Sequence, residues 1–219
     1  LADSGLIAYG RGEAFDYLLG EETSSVAKKA IETAAATLLL AENPVISVNG
    51  NTAALVPEKV VELASTLDAK IEINLFYRTP ERVQAIKKVL NDAGAAEVLG
   101  DEDDPKHITG LESPRSRVSR EGIYRADVVL VPLEDGDRAQ ALVSNGKKVV
   151  TVDLNPLSRT AKTATVTIVD NLVRVMPQLI QEVKRLQLMG TSTLQDIVDG
   201  FDNQQNLQDS LKLMLESLS

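Results

Sequence analysis

DVVLVPLEDGDR (127–138), KKVVTVDLNPLSRT (147–160) and TATVTIVDNL (163–172) decide the fold of this chain. In each segment a short, β-branched apolar run ends in a burst of polar residues. Runs such as Val128–Leu133 and Val149–Leu154 do not alternate polar with apolar residues, so they suit strands buried on both faces of a parallel sheet covered by helices. Ligands in such sheets sit in the crevice at the carboxyl ends of the strands. The bursts, Glu134-Asp135-Gly136-Asp137-Arg138, Asp153-Leu154-Asn155 with Arg159-Thr160, and Asp170-Asn171, all fall at such ends. Together they predict one binding site.

Upstream, Pro44–Val48 is a strand that runs into Asn49-Gly50-Asn51-Thr52 and then a helix from about Ala53. A strand, a glycine turn and a helix N-terminus form a phosphate-binding geometry, because the first-turn N–H groups have no partners within the helix. No G-x-x-x-x-G-K-[ST] follows, which disfavours a Walker-type ATPase. Lys70–Phe76 is the next strand, Thr79 caps a helix starting at Pro80, and Arg78 is placed to grip a carboxylate or phosphate. Glu97–Gly100 reads as a short strand. Asp101–Arg120 reads as an irregular polar loop, with Asp101–Asp104 a solvated acidic turn, His107 at the surface, and Arg115, Arg117 and Arg120 either serving a phosphate or solvated. Gly10-x-Gly12 resembles half of a dinucleotide fingerprint; its other reading is a glycine-rich turn into a short helix.

Helices are expected over Thr23–Glu42, Asp135–Asn145 and Leu172 to about Leu188. The first is apolar around much of its circumference, which calls for burial against the sheet or a partner chain. The last carries a stripe of Leu172, Val173, Met176, Leu179, Ile180 and Val183. The sequence therefore divides into an α/β domain over 1–188, mostly parallel and flanked by helices, and a C-terminal amphipathic extension over 190–219 that carries no chemistry.

A net charge of −9 over 219 residues argues against nucleic-acid or anionic-membrane binding. The lack of cysteine removes disulfides and thiolate chemistry and fits a cytoplasmic protein, and a single histidine disfavours a Ser-His-Asp triad or a multi-histidine metal centre. No apolar run reaches the length of a membrane span. The first residue is Leu1, so an N-terminal piece is expected to be missing.

GLIAYGRGEAFDYL (5–18), VISVNGNTAALVP (45–57), INLFYRT (73–79), VLVPLEDGDR (129–138) and VDLNPLSRTA (152–161) together resemble the archaeal phosphopantothenate synthetase family, the 4-phosphopantoate–β-alanine ligases. The likeness runs from about Gly5 to Leu186. It implies a homodimeric, Rossmann-like enzyme of coenzyme A biosynthesis that condenses 4-phosphopantoate with β-alanine while ATP, carried with Mg²⁺, is split to AMP and diphosphate through an acyl-adenylate. It further implies ATP contacts at Arg11, Asp153, Leu154, Asn155, Arg159, Thr160, Asn171 and Leu172. A further ATP-binding arginine that the family carries before GLIA is absent here, and Tyr9 stands where the family pattern has histidine.

We expect Asn49, Asn51 and Arg78 to grip the phosphopantoate, and an acid of Glu134–Asp137 to help Mg²⁺ or receive the β-alanine ammonium. No side chain is singled out for catalysis and no protein-held metal is expected. The competing reading is a non-catalytic, nucleotide-binding regulatory module in which the same pocket reports ATP to a partner.

Overall fold

A computed structural model describes residues 3–102 and 104–217, apart from the side chains of 3–9 and 11. Helix α1 (Asp3–Leu18) is followed by α2 (Ser25–Leu39), β1 (Pro44–Val48), α3 (Gly50–Leu55), α4 (Pro57–Leu67), β2 (Lys70–Ile73) and α5 (Pro80–Asp92). A small hairpin, β3 (Lys106–His107) with β4 (Arg117–Val118), precedes β5 (Val128–Leu130), α6 (Gly136–Ser144), β6 (Lys148–Val152), α7 (Arg159–Thr163), β7 (Val166–Ile168) and α8 (Leu172–Leu186). Two further helices, α9 (Thr191–Asp199) and α10 (Asn203–Glu216), close the chain.

The main sheet has the order β2-β1-β5-β6-β7 and every pairing is parallel. The β-branched runs account for this, since each strand sends side chains into two apolar layers. Ile46, Leu130, Val150 and Val152 enter the core against α2, α4 and α8, while Val45, Val129, Val131 and Val149 pack against α6 and the 108–126 region. The chain leaves β1 toward β2 on one side and returns to place β5 on the other, so the topological switch point lies between β1 and β5.

Several local expectations shift. Gly10 and Gly12 lie inside α1, so they form neither a glycine turn nor a dinucleotide loop. The strand expected over Lys70–Phe76 stops at Ile73, because the buried Asn74 side chain turns to the carbonyls of Arg115 and Arg117. Glu97–Gly100 makes only an isolated bridge, Leu99 with Glu72. There the backbone comes so close that a Cβ on Gly100, at φ +109°, would collide with the Ile73 carbonyl. Val173 is exposed, and Val175 takes its place on the buried face of α8. Helix α3 begins at Gly50, three residues early, because Asn49 caps it by accepting from the Asn51 and Thr52 N–H groups.

Of the two coverings expected for the apolar α2, the sheet or a partner chain, it finds its cover within this chain: Ala30, Ala34, Ala35 and Ala36 are fully covered and it packs against β7, α8 and α9. The C-terminal segment forms two helices in place of one, and both join the body. Leu194 enters the main core, and Leu207 and Met214 form a second cluster with Ala161 and Val169. Strand β7 is a sheet edge, where unpaired backbone groups invite another strand. Asn203 and Asn206 occupy that edge: Asn203 Oδ1 accepts from the Thr167 N–H at 2.8 Å, and Asn206 Nδ2 donates to the Thr167 carbonyl at 2.9 Å. Their amides stand in for a neighbouring strand. No described helix is long and apolar enough to cross a membrane.

Candidate active site

The carboxyl ends of β1, β5, β6 and β7 open into one cleft of about 560 Å³. Each strand end contributes as it breaks into polar sequence: Asn51 after β1, Leu133 and Glu134 after β5, Asp153, Leu154, Asn155 and Ser158 after β6, and Asp170 and Leu172 after β7. Gly12 and Phe15 of α1 cover it. Its volume and its mixture of apolar walls with convergent polar groups suit a cofactor or nucleotide site.

Asp153 is held on both oxygens, accepting from the Asn155 N–H at 2.9 Å and from Ser158 Oγ at 2.5 Å. Burial pushes its carboxyl up, against those two donors. Asp170, fully buried, accepts from Thr23 Oγ1, from the Asn171 N–H and from Arg174. Arg174 also pairs with Asp16, and Asn171 donates to Asp16 at 3.0 Å, which ties α1 to the start of α8. Asn171 caps α8 by accepting from Val173.

Glu134 is the third carboxylate facing the cleft. Its buried side chain is clasped by Arg115 and by Arg138, both buried themselves. Arg138 also donates to Ser47 Oγ on β1 at 2.9 Å, so one guanidinium bridges the strand ends at the switch point. Burial lowers the pKa of each of these arginines to about 10, and the charge of Arg138 adds to the effect at Arg115. Burial alone would raise the Asp135 carboxyl, but the Arg138 N–H and the Arg115 guanidinium bring it below its ordinary value. The Glu134–Arg138 spacing of four residues on a helix start was a legible sign of this pair. Arg115, nineteen residues before Glu134, had no comparable signal.

The implied ATP contacts separate into groups. Asp153, Leu154, Asn155 and Leu172 line the cleft, and Asn171 stands at its rim. Thr160 is buried and donates to the Glu134 carbonyl at 2.9 Å, so it supports the wall. Arg159 points out of the cleft, toward Asp137 at the start of α6. The side chains of Arg11 and Tyr9 lie outside what the structure describes. Of the three residues expected on phosphopantoate, Asn51 lines the cleft. Asn49 is buried, its amide donating to the Pro132 and Leu133 carbonyls, so its side chain is taken up in joining β1 to the turn after β5. Arg78 instead donates to the Gly100 carbonyl. Arg115 is no solvated arginine, whereas Arg117, Arg120 and His107 are exposed.

Beneath this wall lies Glu72 on β2, fully buried, accepting from the Ser119 N–H at 3.0 Å and the Ile123 N–H at 2.6 Å. Burial raises its pKa to about 7, although both donors and the charge of Arg138 favour the anion. With the folded pKa above the unfolded one, the native state binds more protons between about pH 4.5 and 7. Stability should therefore be greatest below that window and fall by up to about 3 kcal/mol as pH rises through it. Urea titrations from pH 5 to 7.5 should show this slope, and Glu72→Gln should flatten it whatever its own stability. An unchanged slope in the variant would assign the pH dependence elsewhere.

A family model described as phosphopantothenate/pantothenate synthetase matches residues 26–217. A protein of Thermococcus kodakarensis named 4-phosphopantoate–β-alanine ligase is 55% identical over 211 residues, covering 96% of this chain and 80% of that protein. One of the same name from Thermococcus onnurineus is 53% identical, with 96% and 80% covered. A third, from Methanosarcina mazei, is 52% identical over 214 residues, covering 98% of this chain and 84% of its own. The match extends through α9 and α10, so the C-terminal segment lies inside the likeness rather than beyond it.

Proposed function

The chain belongs to the phosphopantothenate/pantothenate synthetase family, and on that premise we propose that it is an ATP-dependent ligase joining 4-phosphopantoate to β-alanine in coenzyme A biosynthesis. The observation that carries the reading is the convergence of four parallel strand ends on one cleft, with Asp153-Leu154-Asn155 at the end of β6. In this reading the adenosine lies between Leu154, Leu172 and Phe15, with Asp153 accepting from the ribose hydroxyls through its remaining lone pairs.

The cleft presents Glu134, Asp153 and Asp170, and among the described residues no lysine or arginine lines it. The phosphates must therefore run outward, toward Arg159 at the start of α7 and the Arg11 implied by resemblance. All three carboxylates already hold protein donors, and no group of described His, Asp or Glu side chains is arranged to hold a metal ion. With ATP bound, Mg²⁺ would accompany the nucleotide and offset phosphate charge.

The reaction has two displacements. The phosphopantoate carboxylate attacks the α-phosphorus and expels diphosphate, leaving an acyl-adenylate. The β-alanine nitrogen then bonds the acyl carbon, the bond from that carbon to the AMP oxygen breaks, and the two protons shed by the ammonium pass to water. Positioning and charge stabilisation carry most of such a reaction. In this reading Asn51, which lines the cleft, holds phosphopantoate beside the nucleotide. A cytoplasmic setting accompanies these substrates. The homodimer rests on resemblance, and the buried alanine face of α2 is not available to its interface.

Phosphopantoate labelled with oxygen-18 in its carboxylate tests the route. Attack on the α-phosphorus delivers one label to AMP. Label appearing in inorganic phosphate, with ADP formed, would replace the adenylate with an acyl-phosphate.

A further inference from the structure

A second cavity, of about 460 Å³, shares a wall with the nucleotide cleft. Two pairs of consecutive residues straddle that wall. Glu134 and Ser158 line the cleft, while their neighbours Asp135 and Arg159 line the second cavity. Asp137 joins Arg159 there in an ion pair with both side chains largely exposed, 74% and 62%. Arg159 reaches this position by lying over Gly136, where a Cβ would collide with its Nε and stem.

The opposite side of the cavity is the 109–113 loop. The N–H groups of Gly110, Leu111, Glu112 and Ser113 meet no acceptor among the described residues. Behind lies Arg115, buried over the Phe76 ring and bonded to Asp135 at 2.6 Å, with its Nε lacking an acceptor. The cavity thus holds one exchangeable carboxylate, Asp137, on one side and, on the other, unclaimed backbone donors beside the exposed Glu112, so a ligand with an ammonium at one end and a carboxylate at the other can meet both.

Resting on the ligase reading, we propose that this cavity binds the amino-acid substrate, its ammonium on Asp137 and its carboxylate on the 109–113 loop. Asp137 is released for this role when Arg159 turns to the ATP phosphates. An exposed pair contributes little to stability, so the exchange is easy. It also makes binding ordered: nucleotide removes the competing cation and leaves Asp137 without a partner until the amine arrives. The shared wall brings that amine to the acyl group activated in the cleft. By reciprocity, the amino acid strengthens nucleotide binding by the same factor.

Two measurements on the full chain test this. Calorimetry should find β-alanine binding at least about fivefold tighter with α,β-methylene-ATP present than without it. Asp137→Asn should raise the KM for β-alanine about tenfold or more, the scale of one hydrogen bond to a charged group, while phosphopantoate-dependent ATP–diphosphate exchange persists. Asp137→Glu should recover part of the loss, which a folding defect would not. Equal β-alanine affinity with and without the analogue, or an unchanged KM in Asp137→Asn, would overturn the proposal. Absence of exchange in the unsubstituted chain would instead remove the adenylate route of the ligase reading, and absence of phosphopantothenate formation as well would remove that reading and this inference with it.

Discussion

Arg159→Ala is expected to lower kcat/KM for ATP by roughly 10²–10³, the scale of losing one preorganised charged donor at a reacting phosphate. The side chain stands at the first position of α7, beyond the carboxyl end of β6, where phosphates leaving the anionic cleft would meet a cation. Charge builds on those oxygens as diphosphate departs, so the contact strengthens toward the transition state. Arg159→Lys should recover only part of the loss, because an ammonium cannot reproduce the two-pronged geometry of a guanidinium. The melting temperature should scarcely move, since the pair with Asp137 is exposed on both sides and contributes at most about 1 kcal/mol. If Arg159 serves only as the partner of Asp137, ATP kinetics will be unchanged in the same sample.

The largest stability effect is expected at Arg138. Its guanidinium is 1% exposed and bridges Glu134 and Ser47 across the switch point. Arg138→Met keeps much of the volume but leaves a buried carboxylate with Arg115 alone, which should cost about 3–5 kcal/mol. A lowered urea midpoint at unchanged m-value would show it. Adding Glu134→Gln should make the double variant less unstable than the sum of its parts, because the two side chains act as a unit. A loss below about 1 kcal/mol, or strict additivity, would mean that Arg115 satisfies Glu134 by itself.

What could be read from the sequence depended on how local its cause was. Val128–Leu130 and Lys148–Val152 were legible as buried parallel strands because β-branched runs without alternation have few other solutions, and Val166–Ile168 was legible as a strand from its β-branched residues and the polar burst that follows it. The caps at Ser24, Thr79 and Asp135 follow from one residue and the turn after it. Gly10-x-Gly12 misled because a glycine pair has a local preference for turns, which the surrounding helix formers override.

Glu72 in KIEI gave no sign of its burial, since its partners are backbone N–H groups at 119 and 123. The burial of Arg138 was also hidden: the spacing from Glu134 suggests a pair, but Ser47, ninety-one positions away, is what makes the burial tolerable. The direction of Arg159 was equally tertiary, fixed by the absence of a side chain at Gly136. The strand ends thus located the cleft, but which side chains enter it was decided by contacts that no short window contains.

The most direct test of the ligase account is the appearance of diphosphate from ATP with each substrate omitted in turn. The account predicts that AMP and diphosphate form in equal amounts with phosphopantothenate, and that this full turnover requires both 4-phosphopantoate and β-alanine. Nucleotide that binds in the cleft without any such turnover, or ATP split to ADP whichever substrate is present, would contradict it and favour a nucleotide-responsive regulatory module.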